Sequence, residues 1–217
     1  MAEYIKLAMT AANALASWEG LKGMTRRVMQ PQPPRRWPPT LALRTDCMRP
    51  DRLWDDRISW IDVDAQGNET KYEWKPRYAP GQKVYIGEPL SPQGKSLRHA
   101  VYTADRTPVL LADGEEVRWT WRVNGLAGRY MRRNCARMVG VIGDGVRAER
   151  VRDITHNDRV AEGCPPDIAT SAPASEQWFT DIWDSIHGKG AWARNDYVWV
   201  YPYTITARGA EAQELLR

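Results

Sequence analysis

Between a short helical pattern and a run of prolines lies Gly20-Leu21-Lys22-Gly23-Met24-Thr25-Arg26-Arg27, and this stretch constrains the fold more than any other. Upstream, Thr10 reads as an N-cap. Ala11, Ala14, Leu15 and Trp18 then repeat at i, i+3, i+4 and i+7, one buried helical stripe that Gly20 ends. Downstream, Pro31, Pro33, Pro34, Pro38 and Pro39, mixed with Arg35, Arg36 and Trp37, force an extended, non-helical crossing. The chain must turn between the two, and the helix delivers that turn to a fixed place. Gly20 and Gly23 relax the backbone, so the stretch is expected as a tight bend with projecting polar side chains. Lys22, Arg26 and Arg27 bring three cations and Thr25 a hydroxyl, with no acid among them. Such a set reads either as a solvated basic turn or as a seat for a phosphate or carboxylate, because arginine forks match oxyanions bidentately. A lysine among arginines also gives up its proton more easily, and a neutral lysine near a hydroxyl makes a nucleophile with its base.

The rest of the chain divides into short elements. Tyr4 to Leu7 reads as a strand, and the Tyr78-Ala79-Pro80-Gly81 turn leads into a second at Val84-Tyr85-Ile86. Glu88 follows at the strand's end, either a rim carboxylate or half of a surface salt bridge. Between Arg44 and Arg77, charges alternate with Trp54, Trp60 and Trp74, and Asp64 to Asn68 reads as a hairpin turn inside an inserted, part-exposed hairpin. Val101-Tyr102 and Val117 to Val123 read as strands, the latter interleaving Arg118, Trp119, Trp121 and Arg122. Arg129, Arg132, Arg133 and Arg137 form the densest basic cluster. Interleaved arginine and aromatics suit a groove that tracks phosphates and stacks bases; they equally suit a charged strand surface paired with nearby acids.

Ala136 to Val151 reads as strand, turn at Gly143-Asp144-Gly145, and strand. Thr155 and Asp158 resemble a capping box opening a short helix through Glu162, which Gly163 ends. A carboxylate on a helix's last turn meets the negative end of the helix dipole, so Glu162 is either freely solvated or held by a cation from elsewhere. Ser175 is expected to cap a helix that turns Trp178, Phe179, Ile182, Trp183 and Ile186 inward and ends at Gly188. Tyr197 to Thr206 closes the chain as a strand, and residues from Arg208 read as a frayed tail.

At 217 residues the chain fits one domain with insertions. Eleven tryptophans and nine tyrosines stand against one phenylalanine, a bias toward large rings with a polar handle that suit half-buried and base-stacking sites. A net charge of +4 biases encounter toward anionic partners. Cys47, Cys135 and Cys164 have no metal-ligand spacing, and with three scattered histidines they give no metal-site pattern; a reducing, cytoplasmic setting is expected. Neither a signal peptide nor a membrane-length apolar run is read.

The order of helix, G-x-K-x-x-T-R-R, a Pro-Gly turn into a strand ending in Glu, a short helix ending Ala161-Glu162-Gly163, a helix with Trp183-Asp184-Ser185-Ile186 and a last Val198-Trp199-Val200 strand resembles the ASCH domain proteins of the PUA-like superfamily, especially the longer versions of tailed bacteriophages. The resemblance touches roughly residues 5–33, 78–90, 134–163 and 176–206. It implies an α+β, mainly β fold: a PUA-like curved β-barrel with flanking short helices. That domain would span 1–207, with insertions at about 34–77 and 91–133 and a tail at 208–217. The active loop is similar to that of the N4-acetylcytidine amidohydrolases, which implies catalytic roles for Lys22, Thr25 and Glu162 and no metal or cofactor. Arg26, Arg27 and Glu88 are expected to bind substrate, a modified nucleoside or nucleotide. In the competing reading the protein binds single-stranded nucleic acid without turnover, through Arg129, Arg132, Arg133, Trp119 and Trp121; a weaker one is a ribonuclease. The compartment implied is cytoplasm, the host's for a phage protein.

Overall fold

A computed structural model describes residues 3–32, 58–63, 69–94 and 98–217. Its main sheet is built from short strands around one long one. Strand β1 (Ile5–Ala8) leads into helix α1 (Ala11–Trp18), which is followed by β2 (Met24–Val28). A separate hairpin, β3 (Ile58–Val63) and β4 (Glu69–Trp74), pairs in the register Ile58↔Trp74 to Val63↔Glu69. The strands thus flank the expected turn, while residues 64–68, Trp37 and Trp54 and the Trp60 side chain lie outside what is described. Next come β5 (Lys83–Gly87), the small pair β6 (Leu90–Gln93) and β7 (His99–Tyr102), then β8 (Met138–Ile142) and β9 (Arg147–Arg150). Helices α2 (His156–Ala161), α3 (Ala172–His187) and α4 (Ala191–Arg194) precede β10 (Tyr197–Arg208) and α5 (Gly209–Leu215).

The sheet order is β1-β5-β8-β10-β2, with β9 also on β10; β1 and β5 run parallel and the other pairs antiparallel. β10 is the organising strand. Its first half pairs with β9 and β2, and from Tyr203 onward it pairs with β8 through a bulge between Ile205 and Ala207. A bulge adds local twist, and Gly140 opposite it leaves room: a Cβ there would sit 2.4 Å from the Thr204 carbonyl oxygen. The result is an α+β, mainly β molecule whose mixed sheet curls into a half-barrel with short helices around it.

Alternation along β10 sorts the core, since successive strand residues face opposite ways. Trp199, Tyr201 and Tyr203 join Leu7, Val84, Ile86 and Met138 in one cluster under α1. Val198 and Val200 face the other way, onto Phe179 and Trp183 of α3 and Ala191 of α4. A third cluster gathers Tyr85, Val139 and Met131 with Ala207 and α5. Asp184 of α3 accepts from the backbone N–H groups of Gly190 and Trp192, 2.8 and 2.7 Å away, and so holds α4 in place.

Four expectations change. Residues 24–28 form a strand rather than part of a bend, because β10 supplies backbone partners from Val198 to Pro202 and confines the bend to Gly20–Gly23. Val117 to Val123 is no continuous strand: its backbone bonds are divided among Val109, Ala100 and Arg98, too few on any one neighbour to make a ladder. α3 is capped by Ser171, not Ser175, with a proline in the first turn where a missing N–H costs nothing. The expected tail from Arg208 is instead helix α5, which buries Ala212, with Leu216 buried just beyond its end. Among the described residues no helix is long and apolar enough to cross a membrane.

Candidate active site

Helix α1 ends in a turn whose amides at Leu21 and Lys22 both bond the Ala16 carbonyl, at 2.8 and 3.1 Å. The next residue, Gly23, donates to the Ala161 carbonyl at 2.9 Å, and Lys22 forms an antiparallel bridge with Glu162. The start of β2 is therefore stitched to the end of α2. α2 is fixed at its other end by Thr155, whose hydroxyl accepts from the Asp158 amide. Gly163 closes it at φ +95°, and a Cβ on Gly163 would lie 3.3 Å from the Lys22 Cβ. Both a left-handed backbone and a close approach call for glycine there.

Lys22 Nζ donates to Glu162 Oε2 at 2.5 Å and to the Glu162 carbonyl at 2.7 Å. That leaves one hydrogen of its ammonium form without an acceptor among the described residues. The other carboxylate oxygen, Oε1, accepts from Arg26 Nη1 at 3.0 Å. Arg26 also reaches Glu149 Oε1 at 2.7 Å and Asp158 Oδ2 at 2.9 Å, and Arg147 closes the network on the same two acids at 2.9 and 2.7 Å. With its side chain 1% exposed and all its nitrogens engaged, Arg26 is occupied in orienting Glu162.

Thr25 and Arg27, two residues apart on β2, share a strand face, and both line the same small cleft as Lys22 and Glu162. Thr25 is buried, and its hydroxyl has no hydrogen-bond partner among the described residues. Arg27 donates through Nη2 to the Ala8 carbonyl, forms no ion pair among the described residues, and leaves Nε buried without an acceptor. The opposite wall is α3, presenting Trp178, Ile182, Trp183, Ile186 and His187, and the N-terminal turn of α1 closes one side through Thr10 and Asn13. The cleft encloses about 100 Å³. That is below the ~300–1,000 Å³ of drug-sized sites, room for one small planar group rather than an oligomer.

Burial lowers the proton affinity of Lys22 below the ordinary 10.5, and the charges of Arg27 and Arg26 add to it while Glu162 opposes. Burial is thus a larger cause than the neighbouring arginines that the sequence points to. His187 is likewise lowered, by burial and then by Arg27 and Arg194, which favours the neutral imidazole at neutral pH. The cleft therefore brings together an amine of lowered proton affinity, a hydroxyl and a guanidinium that forms no ion pair among the described residues. That is the equipment of acyl transfer.

Of the residues singled out in the sequence, Lys22, Thr25, Arg26, Arg27 and Glu162 come together. Glu88 does not line the cleft: it is buried against Arg137, 2.9 Å from Nη2, and that guanidinium lies over the rings of Tyr102 and Trp18. Arg129, Arg132 and Arg133 also lie outside the cleft lining, over Tyr130, Trp121 and Tyr4 respectively. Trp119 is 8% exposed, packed on Trp121 and bonded to the Val123 carbonyl, so it offers no open face for a base. Sequence reasoning missed His187 as a site residue. Its signal was position: four residues beyond Trp183, it continues the apolar stripe of α3. Comparisons with family models, with curated proteins and with solved structures each return no match.

Proposed function

We propose that the chain is an ASCH-type protein of the PUA-like superfamily whose cleft hydrolyses an acyl–amine bond on a modified pyrimidine nucleoside such as N4-acetylcytidine. The observation that carries this reading is Lys22: a buried amine with a lowered proton affinity, held by Glu162 at 2.5 Å, in a cleft that the Thr25 side chain also lines. Neutral Lys22 takes the proton of Thr25, or of a water. The freed oxygen attacks the acyl carbon, and the carbonyl electrons move onto oxygen, where the Arg27 guanidinium steadies them. As the tetrahedral centre collapses, the C–N bond breaks and the leaving N4 takes a proton from the Lys22 ammonium, with Glu162 holding that ammonium in place. Water, activated in the same way, frees any acyl group left on Thr25. Lys22→Ala, Thr25→Ala and Glu162→Gln should each lower kcat/KM by about 10²-fold or more while the proteins still unfold cooperatively. Cytidine formation read by chromatography, beside circular dichroism melts, checks this, and undiminished activity in all three variants would end the proposal.

One observation favours a second reading. Arg129, Arg132 and Arg133, each over an aromatic ring, form no ion pair among the described residues. Lys6 and Lys83, over Tyr85 and Tyr4, extend the same basic, aromatic character along β1 and β5. Such a face supports binding of single-stranded nucleic acid through its phosphates, and affinity for a short RNA that falls steeply with added salt would favour it.

A further inference from the structure

Three residues outside the cleft lining, Arg147, Glu149 and Asp158, complete a chain of opposite charges that ends on the Lys22 amine. Arg147 and Glu149 stand two positions apart on β9, so their side chains leave the same face of the sheet. Arg147 and Arg26 are both register partners of Val200, one on each side of β10, which brings the two guanidiniums toward the same acids. Asp158 enters from the first turn of α2.

Outward from the cleft the contacts alternate in sign. Lys22 bonds Glu162 Oε2, and Glu162 Oε1 accepts from Arg26 Nη1 at 3.0 Å. Arg26 Nη2 then donates to Glu149 Oε1 at 2.7 Å and to Asp158 Oδ2 at 2.9 Å. Arg147 takes the other Glu149 oxygen at 2.9 Å and the same Asp158 oxygen at 2.7 Å. Arg26 is sealed from solvent, whereas Arg147 at the outer end is 36% exposed.

Two guanidiniums thus serve three carboxylates, and what Arg26 gives to Glu162 depends on what Glu149 and Asp158 take from it. Burial leaves little water to screen that competition. A carboxylate drawn hard toward Arg26 holds an ammonium less well, and one that Arg26 releases holds it better.

We infer that Glu149, Asp158 and Arg147 are positioning residues that set, through Arg26 and Glu162, the pH at which the Lys22 amine loses its proton. The two acids neutralise Arg26 and so favour the ammonium; Arg147 occupies those acids and so favours the free amine. This rests on the reaction proposed above for its meaning, since it names what tunes the base, but the titration of Lys22 can be measured without any reaction. The charged groups that face the amine are Glu162 from α2 and Arg26 and Arg27 from β2. His187 of α3 and Tyr203 of β10 feel Arg27 in turn, and the variants below alter none of these five.

The protein is labelled with ¹³C-lysine and titrated, following the Cε signal of Lys22, assigned by its absence in Lys22→Ala. The inference predicts that Asp158→Asn lowers the midpoint by about half a pH unit or more and that Arg147→Gln raises it by about as much. Lost packing alone would lower the melting temperature of both variants without driving their midpoints apart. Any other pattern, the two midpoints moving together or either staying within about 0.2 unit of the natural protein, overturns the inference. Should Asp158→Asn fail to fold, Glu149→Gln takes its place with the same predicted sign. Midpoints that separate while N4-acetylcytidine stays intact would remove the proposed reaction and leave the network standing; hydrolysis with unmoved midpoints would do the reverse.

Discussion

Lys22 and Arg26 start four residues apart and finish with opposite duties. Lys22 spends its amine on Glu162 alone, whereas Arg26 spends all its nitrogens on Glu149, Asp158 and Glu162. Two predictions separate them. Since burial lowers the Lys22 proton affinity, the active, neutral amine accumulates as pH rises through a value below the ordinary 10.5. The rate profile kcat/KM against pH should therefore climb to a plateau with its midpoint below 10.5, and any residual activity of Lys22→Ala should lack that limb. The stability sign follows: between the lowered value and 10.5 the unfolded chain binds more protons than the folded one, so Lys22 makes stability rise with pH across that window. Arg26→Met leaves three acids sharing Arg147 and Lys22. It should cost about 3–5 kcal/mol in a urea melt, the usual penalty for breaking a buried pair by removing one partner. An unchanged urea midpoint would return Arg26 to the substrate-binding role that its place in the motif suggests.

Short elements carry the site, and their ends matter more than their middles. The Thr155 cap and Gly163 stop fix the six-residue α2, and that helix alone delivers Glu162 to Lys22. Thr155→Ala should remove about 1 kcal/mol of stability with little effect on turnover at saturating substrate. Gly163→Ala should destabilise and also reduce activity, because its Cβ meets Lys22 and φ +95° suits no L side chain. Thermal melts run beside assays distinguish the two; equal loss of activity in both variants would contradict this division. α2 was legible because its caps are local sequence signals, and the α1 cap at Thr10 was legible for the same reason. β2 was not, because strand pairing with β10 is decided by residues about 170 positions away, and two nearby glycines suggest a bend instead. The α3 cap was misplaced by four residues because two serines compete there, and the proline at the start of the helix settles which one caps. The buried Ser175 instead accepts from Arg159 Nε at 3.0 Å, a contact from another helix that no local pattern announces.

At the scale of the whole molecule, the half-barrel has two chemically distinct faces. The cleft between β2 and α3 is small and answers its cations with acids, apart from Arg27. The face along β1 and β5 sets cations that form no ion pair among the described residues over aromatic rings. Clustering of Lys22, Thr25 and Glu162 was legible in the sequence through the motif's order. The far wall was not, because α3 reaches the cleft only through the curl of the sheet, and an apolar stripe with a histidine at its end reads equally well as plain core. Salt separates the two faces: turnover at the cleft should change little between low and physiological ionic strength, whereas binding at the basic face should weaken steeply. The most direct measurement is incubation of the purified protein with N4-acetylcytidine beside a Lys22→Ala control, with products separated by chromatography. The account predicts cytidine and acetate from the natural protein and at least about 10²-fold slower formation of both by the variant. No product at high enzyme concentration and long incubation, or equal product from both proteins, would contradict it.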